Sequence, residues 1–400
     1  MINVMREKII EKHRILLKVA TETHVWSGDM FLQNVDLVVS RASWREFIAY
    51  ILDMNKLTRI IIEKGKHMDL LNALKSRNIL ALLSKYKLYL KNVSSATYIS
   101  KIEPKILGTF IKKNFSINNI PLIPGSELKG LIRTAILNYM ITYKLIDPRA
   151  VDEALNNLSF SESTKNIDQI IQKFIRKIIT ASKTPLDLLK FVSISDPLNY
   201  NVKPIIDKYV ALKLASLEEV ASEDVVALDR DSFIEYEISI YKPVSKEYVR
   251  GQYNIKLYHE FLSLYGRLLR DDKELKLLKV LKDFSLKMIN FEIKRLDSVK
   301  ANIDKSFIKQ LDKWRLEVSN KNNVFYFKTG YGTGMYSKTI FLSMNPDQQK
   351  RLIRIMTNIM ANKTKDRISV WDLQTMKIVG SDFLYNKKII PVGWVRLEII

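Results

Sequence analysis

The chain has 400 residues and a formal net charge of +22, from 65 Lys and Arg against 43 Asp and Glu. Its 47% hydrophobic and 10% aromatic content can fill large cores, so wholesale disorder is excluded. With no Cys, disulfide scaffolds, thiolate-held zinc, iron–sulfur clusters and cysteine nucleophiles are excluded too, and no cofactor is expected.

The first predicted strand covers residues 14–20, with a turn at 26–29. A mostly helical stretch follows over about 43–90, where Phe47, Ile51, Leu52, Leu70, Leu71 and Leu74 recur at helical spacing. Residues 128–146 carry the clearest amphipathic pattern: Leu128, Leu131, Ile132, Ala135, Ile136, Tyr139, Met140 and Tyr143 share one stripe. More helix is expected over 147–190, after the start signal at Asp147–Pro148. Strands return at 191–195 and 232–241. A Lys- and Leu-rich helical block spans about 256–318, with acids scattered throughout, as in a solvated bundle. Short strands close the chain around 325–328, 339–342 and 392–400. The organisation read from this order is an N-terminal unit over 1–230 and a C-terminal unit over 231–400.

The charge is an argument about partners. Twenty-two unmatched positive charges repel one another and suit a polyanion, nucleic acid before an anionic membrane. The opening residues lack an apolar leader core, and no apolar run approaches the roughly 18 residues of a spanning helix. A cytoplasmic protein with no membrane attachment is expected.

Three motifs carry chemistry. In Ile123-Pro-Gly-Ser-Glu-Leu-Lys-Gly-Leu-Ile-Arg-Thr134, Pro124 and Gly125 make a tight entry and Ser126 is a predicted N-cap. The free N–H groups of that helix end suit a phosphate, with Lys129 and Arg133 four residues apart on one face. Glu127 works against an anion there, and an ordinary capped helix with a solvated basic edge fits the same residues. In Phe327-Lys-Thr-Gly-Tyr-Gly-Thr-Gly-Met-Tyr-Ser-Lys-Thr339, three of the chain's twelve Gly fall within five residues. Gly330, Gly332 and Gly334 let backbone amides approach a ligand, Lys328 and Lys338 bracket them, and Tyr331 and Tyr336 offer stacking faces. A glycine-rich turn without a ligand is the alternative. In Thr21-Glu-Thr-His-Val-Trp-Ser-Gly-Asp29, His24 is a candidate acid or base or an RNA contact, and Ser27 lies beside it. Asp29 and Asp36 are candidates for metal-supported cleavage.

Taken together, these motifs resemble the RAMP superfamily of CRISPR-associated RNA-binding proteins. The stretch Ile123–Ala135 is similar to that superfamily's IPGSSLKGxxRTA signature, with Glu127 where a second small residue is usual. The Thr-x-x-His-x-x-Ser-Gly segment, the loop from Gly330 to Gly334 with Ser337-Lys338-Thr339, the strand Phe191-Val-Ser-Ile-Ser-Asp-Pro197 and the closing Pro391-Val-Gly-Trp-Val-Arg-Leu-Glu398 narrow the resemblance. They are similar to the subunits that cap one end of type III-A Csm effector complexes.

The resemblance implies an α+β fold, a ferredoxin-like (RRM-like) sheet core in one or two units with large helical insertions. It also implies a non-catalytic subunit that binds and caps the crRNA 3′ region and supports 3′-end maturation and assembly. The expected partners are crRNA, target RNA, other Csm subunits and host maturation nucleases. His24, Ser27, Gly125, Ser126, Lys129, Arg133, Lys328, Gly330, Tyr331, Gly332, Gly334, Tyr336 and Lys338 are the expected RNA contacts. Two enzymatic readings compete: a precursor-cutting endoribonuclease using His24, and a target-cleaving backbone subunit using Asp29 or Asp36.

Overall fold

The computed structural model describes residues 9–43, 46–145, 149–159, 188–214, 216–241, 263–269, 275–299, 306–364 and 375–400. Among these, two main sheets carry the architecture. The first runs in the order β10 (Asn199–Asn201), β13 (Phe233–Tyr241), β1 (Ile9–Val19), β16 (Trp394–Ile399), β14 (Val324–Lys328), with β9 (Val192–Ile194) also on β13. All its pairings are antiparallel. Ile15, Leu17 and Val19 alternate inward on β1, opposite Tyr236 and Ile234 on one side and Ile399, Leu397 and Val395 on the other. A period of two with one apolar face is what holds this register, because a one-residue slip would turn every buried side chain to water.

The second sheet runs β2 (Trp26–Leu32), β6 (Phe110–Asn114), β12 (Glu219–Leu228), β11 (Pro204–Lys213), β5 (Ser94–Ser100), β4 (Phe47–Leu52), β3 (Leu37–Arg41), and β15 (Thr375–Val379) joins β11. A small hairpin of β7 (Ser116–Ile117) and β8 (Ile120–Pro121) leads into the long helix. Both main sheets draw strands from either side of residue 230, so the division at 230 does not coincide with either. β1 and β2 are consecutive yet belong to different sheets, and the segment between them crosses from one to the other.

Helices cover the sheets. At the β4–β3 end of the second sheet, α1 (Met54–Glu63), α2 (His67–Lys75) and α3 (Ile79–Lys85) form a lobe whose apolar core around Leu57, Ile61, Ile79 and Leu83 takes in Val38 of β3 and Leu52 of β4. α4 (Gly125–Thr142) buries Leu128, Leu131, Ile132, Ala135, Ile136, Tyr139 and Met140, the predicted stripe, against the first sheet. Each such Leu or Ile contributes roughly 1.5–3 kcal/mol through the water it leaves. α5 (Arg149–Ser159) follows. α6 (Leu277–Asp297) and α7 (Ser306–Asn320) then grip β14 from opposite faces. Phe327 stacks on Phe284 of α6, and Tyr326, one residue earlier and so pointing the other way, stacks on Trp314 of α7. α8 (Pro346–Thr364) and α9 (Gly380–Asn386) follow, with a single helical turn at Met335–Lys338 before α8. No described helix is long and apolar enough to cross a membrane.

The mixed α+β class with helical additions is as expected, but three local expectations are corrected. The stretch 43–90 opens with strand β4, because Phe47–Leu52 is wedged between β3 and β5; helix begins only after Asp53, whose Oδ1 accepts the Lys56 N–H at 3.0 Å. Residues 340–343 form a 3₁₀ turn instead of a strand, with Thr339 Oγ1 accepting the Phe341 N–H at 3.2 Å. Trp26–Asp29 opens strand β2 rather than a turn. Most of the helix expected over 147–190, and the parts of the 256–318 block at 256–262, 270–274 and 300–305, lie outside the described residues.

Candidate nucleic-acid interface

The crossing segment 20–25 is where the motifs meet. Its backbone is tied on every side: Ala20 and Thr21 donate to the Trp394 carbonyl at 2.9 and 3.0 Å, and Glu22 O accepts from Gly393 N–H at 2.8 Å. Thr23 and Leu228 exchange bonds of 3.1 and 2.8 Å, and Tyr331 N–H donates to His24 O at 2.6 Å. Val25 N–H donates to Asn114 Oδ1 at 2.5 Å, while Asn114 Nδ2 donates to the Leu122 carbonyl at 3.2 Å, just before the Ile123-Pro-Gly turn. The His24 segment, the glycine loop, the closing Val-Gly-Trp and the entry to α4 are thus stitched through one strap.

Close backbone approach explains the glycines, but the approaching atoms are the protein's own. A Cβ at Gly125 would stand 2.2 Å from the Ser195 carbonyl oxygen, and one at Gly330 would stand 2.5 Å from His24 O; Gly330 also holds φ +86°, a region costly for other residues. At Gly332 a Cβ would meet the Lys377 side chain at 2.8 Å. Gly334 is exposed and unobstructed.

The predicted contacts therefore divide. His24 and Lys328 are corrected as direct ligands, since both side chains are enclosed. The His24 ring bonds through Nδ1 to the Val226 carbonyl at 2.7 Å and meets Tyr209 and Tyr331 edge-on. Burial is the main cause that pushes it down to about 4, opposed by the Val226 bond and aided by Lys112. Lys328 pairs with Glu292 of α6 at 2.9 Å, deep in the core, because the strand end points its ammonium at that helix. Gly125 and Gly330 are buried. Tyr336 is half-buried among Phe291, Phe341 and the Arg295 guanidinium, so its ring is already packed. Ser126 is exposed but is not the N-cap; Pro124 holds that position with no side-chain bond. Lys129 and Arg133 are half-buried on α4, Ser27 Oγ donates to the Lys113 carbonyl at 3.2 Å, and Lys338 is half-buried. Asp36 is committed to the Leu32 N–H at 2.9 Å.

Tyr331 anchors a constellation that motif reading missed. Lys112 of β6 and Lys377 of β15 each hold an ammonium 4.2 Å from the centre of its ring, and Lys112 lies 4.9 Å from the ring of Trp26. Trp26 is 42% exposed and meets Tyr331 at 6.0 Å between ring centres. Glu223 of β12 sits between the two lysines, at 2.8 Å from Lys112 and 2.5 Å from Lys377. Burial acts to raise this carboxyl, but its bonds to Lys112 and Lys377 prevail and hold it down at about 2. The next residue of β6, Lys113, points to the other face of the sheet and lies over Phe31 of β2 at 4.5 Å. Rings and ammonium groups on a sheet face next to a loop are a surface that can stack bases and hold a phosphate chain. Lys112, Glu223 and Lys377 lie on three strands far apart in sequence, and nothing in their neighbours marks them; of the group, Trp26 and Tyr331 stood inside motifs.

Residues 18–337 match the family described as the RAMP superfamily. A protein of Methanocaldococcus jannaschii named CRISPR system Cms protein Csm5 is 25% identical over 386 residues, covering 88% of this chain and 82% of that protein. Among solved structures, the fold is similar to a chain of a cryo-EM Csm–crRNA–target RNA ternary complex of a type III-A CRISPR-Cas system, with TM-score 0.63, 18% identity, and coverage of 96% of this chain and 100% of that one. It is also similar to the crystal structure of T. onnurineus Csm5, with TM-score 0.56, 17% identity, and coverage of 95% and 99%.

Proposed function

The chain belongs to the RAMP superfamily, and from that premise we propose that it is an RNA-binding subunit of a type III-A CRISPR effector complex, holding and capping the crRNA 3′ region and supporting its maturation and the assembly of the complex. Its partners in this reading are crRNA, target RNA, neighbouring Csm subunits and maturation nucleases. The observation that carries the reading is the Trp26–Tyr331–Lys112–Lys377 surface beside the strap on which the family's motifs converge. The half-buried Lys129 and Arg133 on α4 and the net charge of +22 extend it. Rings stack on any base and ammonium groups pair with any phosphate, so the grip is indifferent to spacer sequence.

The subunit acts in this reading by binding rather than by cutting. Acid–base chemistry by His24 is disfavoured because the ring is fully buried, bonded to a main-chain carbonyl, and held at about 4. Labelled repeat-derived RNA mixed with the purified protein, with and without EDTA, tests the reading. It should be retained and left intact in both mixtures. Trp26→Ala combined with Lys112→Gln should weaken retention about tenfold, similarly for unrelated spacers. Cleavage in either mixture, or a loss that varies strongly with spacer, would sink it.

A further inference from the structure

The constellation around Tyr331 holds one carboxylate where a bound strand would bring a phosphate. Glu223 Oε1 accepts from Lys112 Nζ at 2.8 Å and from Tyr331 OH at 2.9 Å, and its Oε2 accepts from Lys377 Nζ at 2.5 Å. Lys112 Nζ also lies 2.6 Å from the Tyr331 hydroxyl, so three donors converge on one anion. The two carboxylate oxygens bridge two ammonium groups much as the two unesterified oxygens of a phosphodiester would. The group is reachable: the side chains of Glu223, Lys377 and Lys112 are 29%, 23% and 14% exposed. The exposed Trp26 ring stands beside it, under the same Lys112 ammonium, where the neighbouring base would lie.

We infer that Lys112, Lys377 and Tyr331 form a phosphodiester subsite that Glu223 fills when no RNA is bound, so that a strand phosphate and the Glu223 carboxylate compete for the same donors. The inference rests on the RNA-binding reading above and adds to it a named subsite and an internal competitor. A stem packed against Gly332 holds Lys377 in place while its ammonium changes partners. The exchange swaps one anion for another at fixed cations, which requires no rearrangement of the sheet. It also sets affinity: a strand gains these contacts only after displacing Glu223, and weak or uncharged polymers cannot.

Fluorescence anisotropy with a labelled single-stranded RNA of mixed sequence tests this on the full chain. Glu223→Gln keeps the shape and removes the competing charge, and should tighten binding about five- to tenfold at low salt. The slope of log affinity against log salt should steepen by about 0.7, one additional phosphate contact with a single strand. Adding Lys112→Gln to Glu223→Gln should abolish the gain. Glu223→Ser serves as the second charge-removing variant should the first fail to fold, with circular dichroism as the check. A folded Glu223 variant that binds as the parent does, or more weakly, overturns the competitor role, because the carboxylate would then serve only to position the lysines. Should Lys112→Gln and Lys377→Gln leave RNA binding unchanged, the RNA-binding reading of this surface fails instead.

Discussion

At the scale of single residues, burial rather than identity decides what His24 and Gly330 do. The His24 ring is held down at about 4, against roughly 6.5 for an unperturbed histidine, chiefly because it is desolvated. A group whose folded value is depressed contributes stability that is fully present above its unfolded value and is lost as the pH falls toward the folded one. The window is therefore about pH 6.5 down to 4. Urea unfolding of the protein should lose about 2 kcal/mol from this residue between pH 7 and 5, and the His24→Gln variant should lack that share. Parallel pH profiles for the two proteins would mean the ring is free to charge in the folded state. Gly330 is constrained from two directions, its φ of +86° and the His24 carbonyl 2.5 Å from where a Cβ would stand. Gly330→Ala should lower stability by about 2 kcal/mol or more, measured as a drop in the urea midpoint, because the strap and the loop must part to admit one methyl group.

At the scale of elements, the long helices are locked to the sheets by a few polar bonds set among apolar contacts. α6 docks on β14 through Phe284 against Phe327, the Ser285 hydroxyl between the N–H and C=O of Tyr326, and the buried Glu292–Lys328 pair. Arg295 adds a second cation at 3.1 Å from Glu292. Burial opposes the ionised carboxylate, but Lys328 and then Arg295 outweigh it and keep the Glu292 value low. Replacing Glu292 by Gln strands a buried ammonium and should cost about 3–5 kcal/mol; the double variant Glu292→Gln/Lys328→Met should recover most of it. Equilibrium unfolding of the three proteins measures both effects, and equal losses in the single and double variants would deny the coupling. α4 shows the same arrangement at its far end. Asn138 donates to the Thr339 carbonyl at 3.1 Å and accepts from the Ser343 hydroxyl at 2.6 Å. The glycine loop therefore runs between two fixed points, the His24 strap at its start and α4 at its end.

At the scale of the molecule, charge acts as a whole. The cations proposed for the strand are Lys112 and Lys377, which share one phosphate, with Lys129 and Arg133 holding one each, and three such contacts give a slope of log affinity against log salt of about −2 for a single strand. RNA affinity should accordingly fall roughly 20-fold between 50 and 200 mM salt, read by filter binding. Lys129→Ala/Arg133→Ala should make the slope shallower by about 1.4. A slope unchanged by that pair would remove α4 from the binding surface.

The amino-acid sequence by itself determined the strands β1 and β13, the apolar stripe of α4, the basic character and the family resemblance, and through that resemblance the α+β class. Each of these is written locally, in periodicity, composition or an unbroken run such as Ile123–Ala135. It also marked the glycines as sites of close approach. Only the tertiary structure decided what approaches them, and the answer is the carbonyls of Ser195 and His24 and the stem of Lys377. Strand pairing made Phe47–Leu52 a strand where helical spacing predicted a helix, because its neighbours β3 and β5 supply the hydrogen bonds that a local pattern cannot count. Register and sheet order likewise gathered Lys112, Glu223 and Lys377 around Tyr331. Residues more than a hundred positions apart carry no local signal of one another, and their meeting depends on how the whole chain buries its apolar faces.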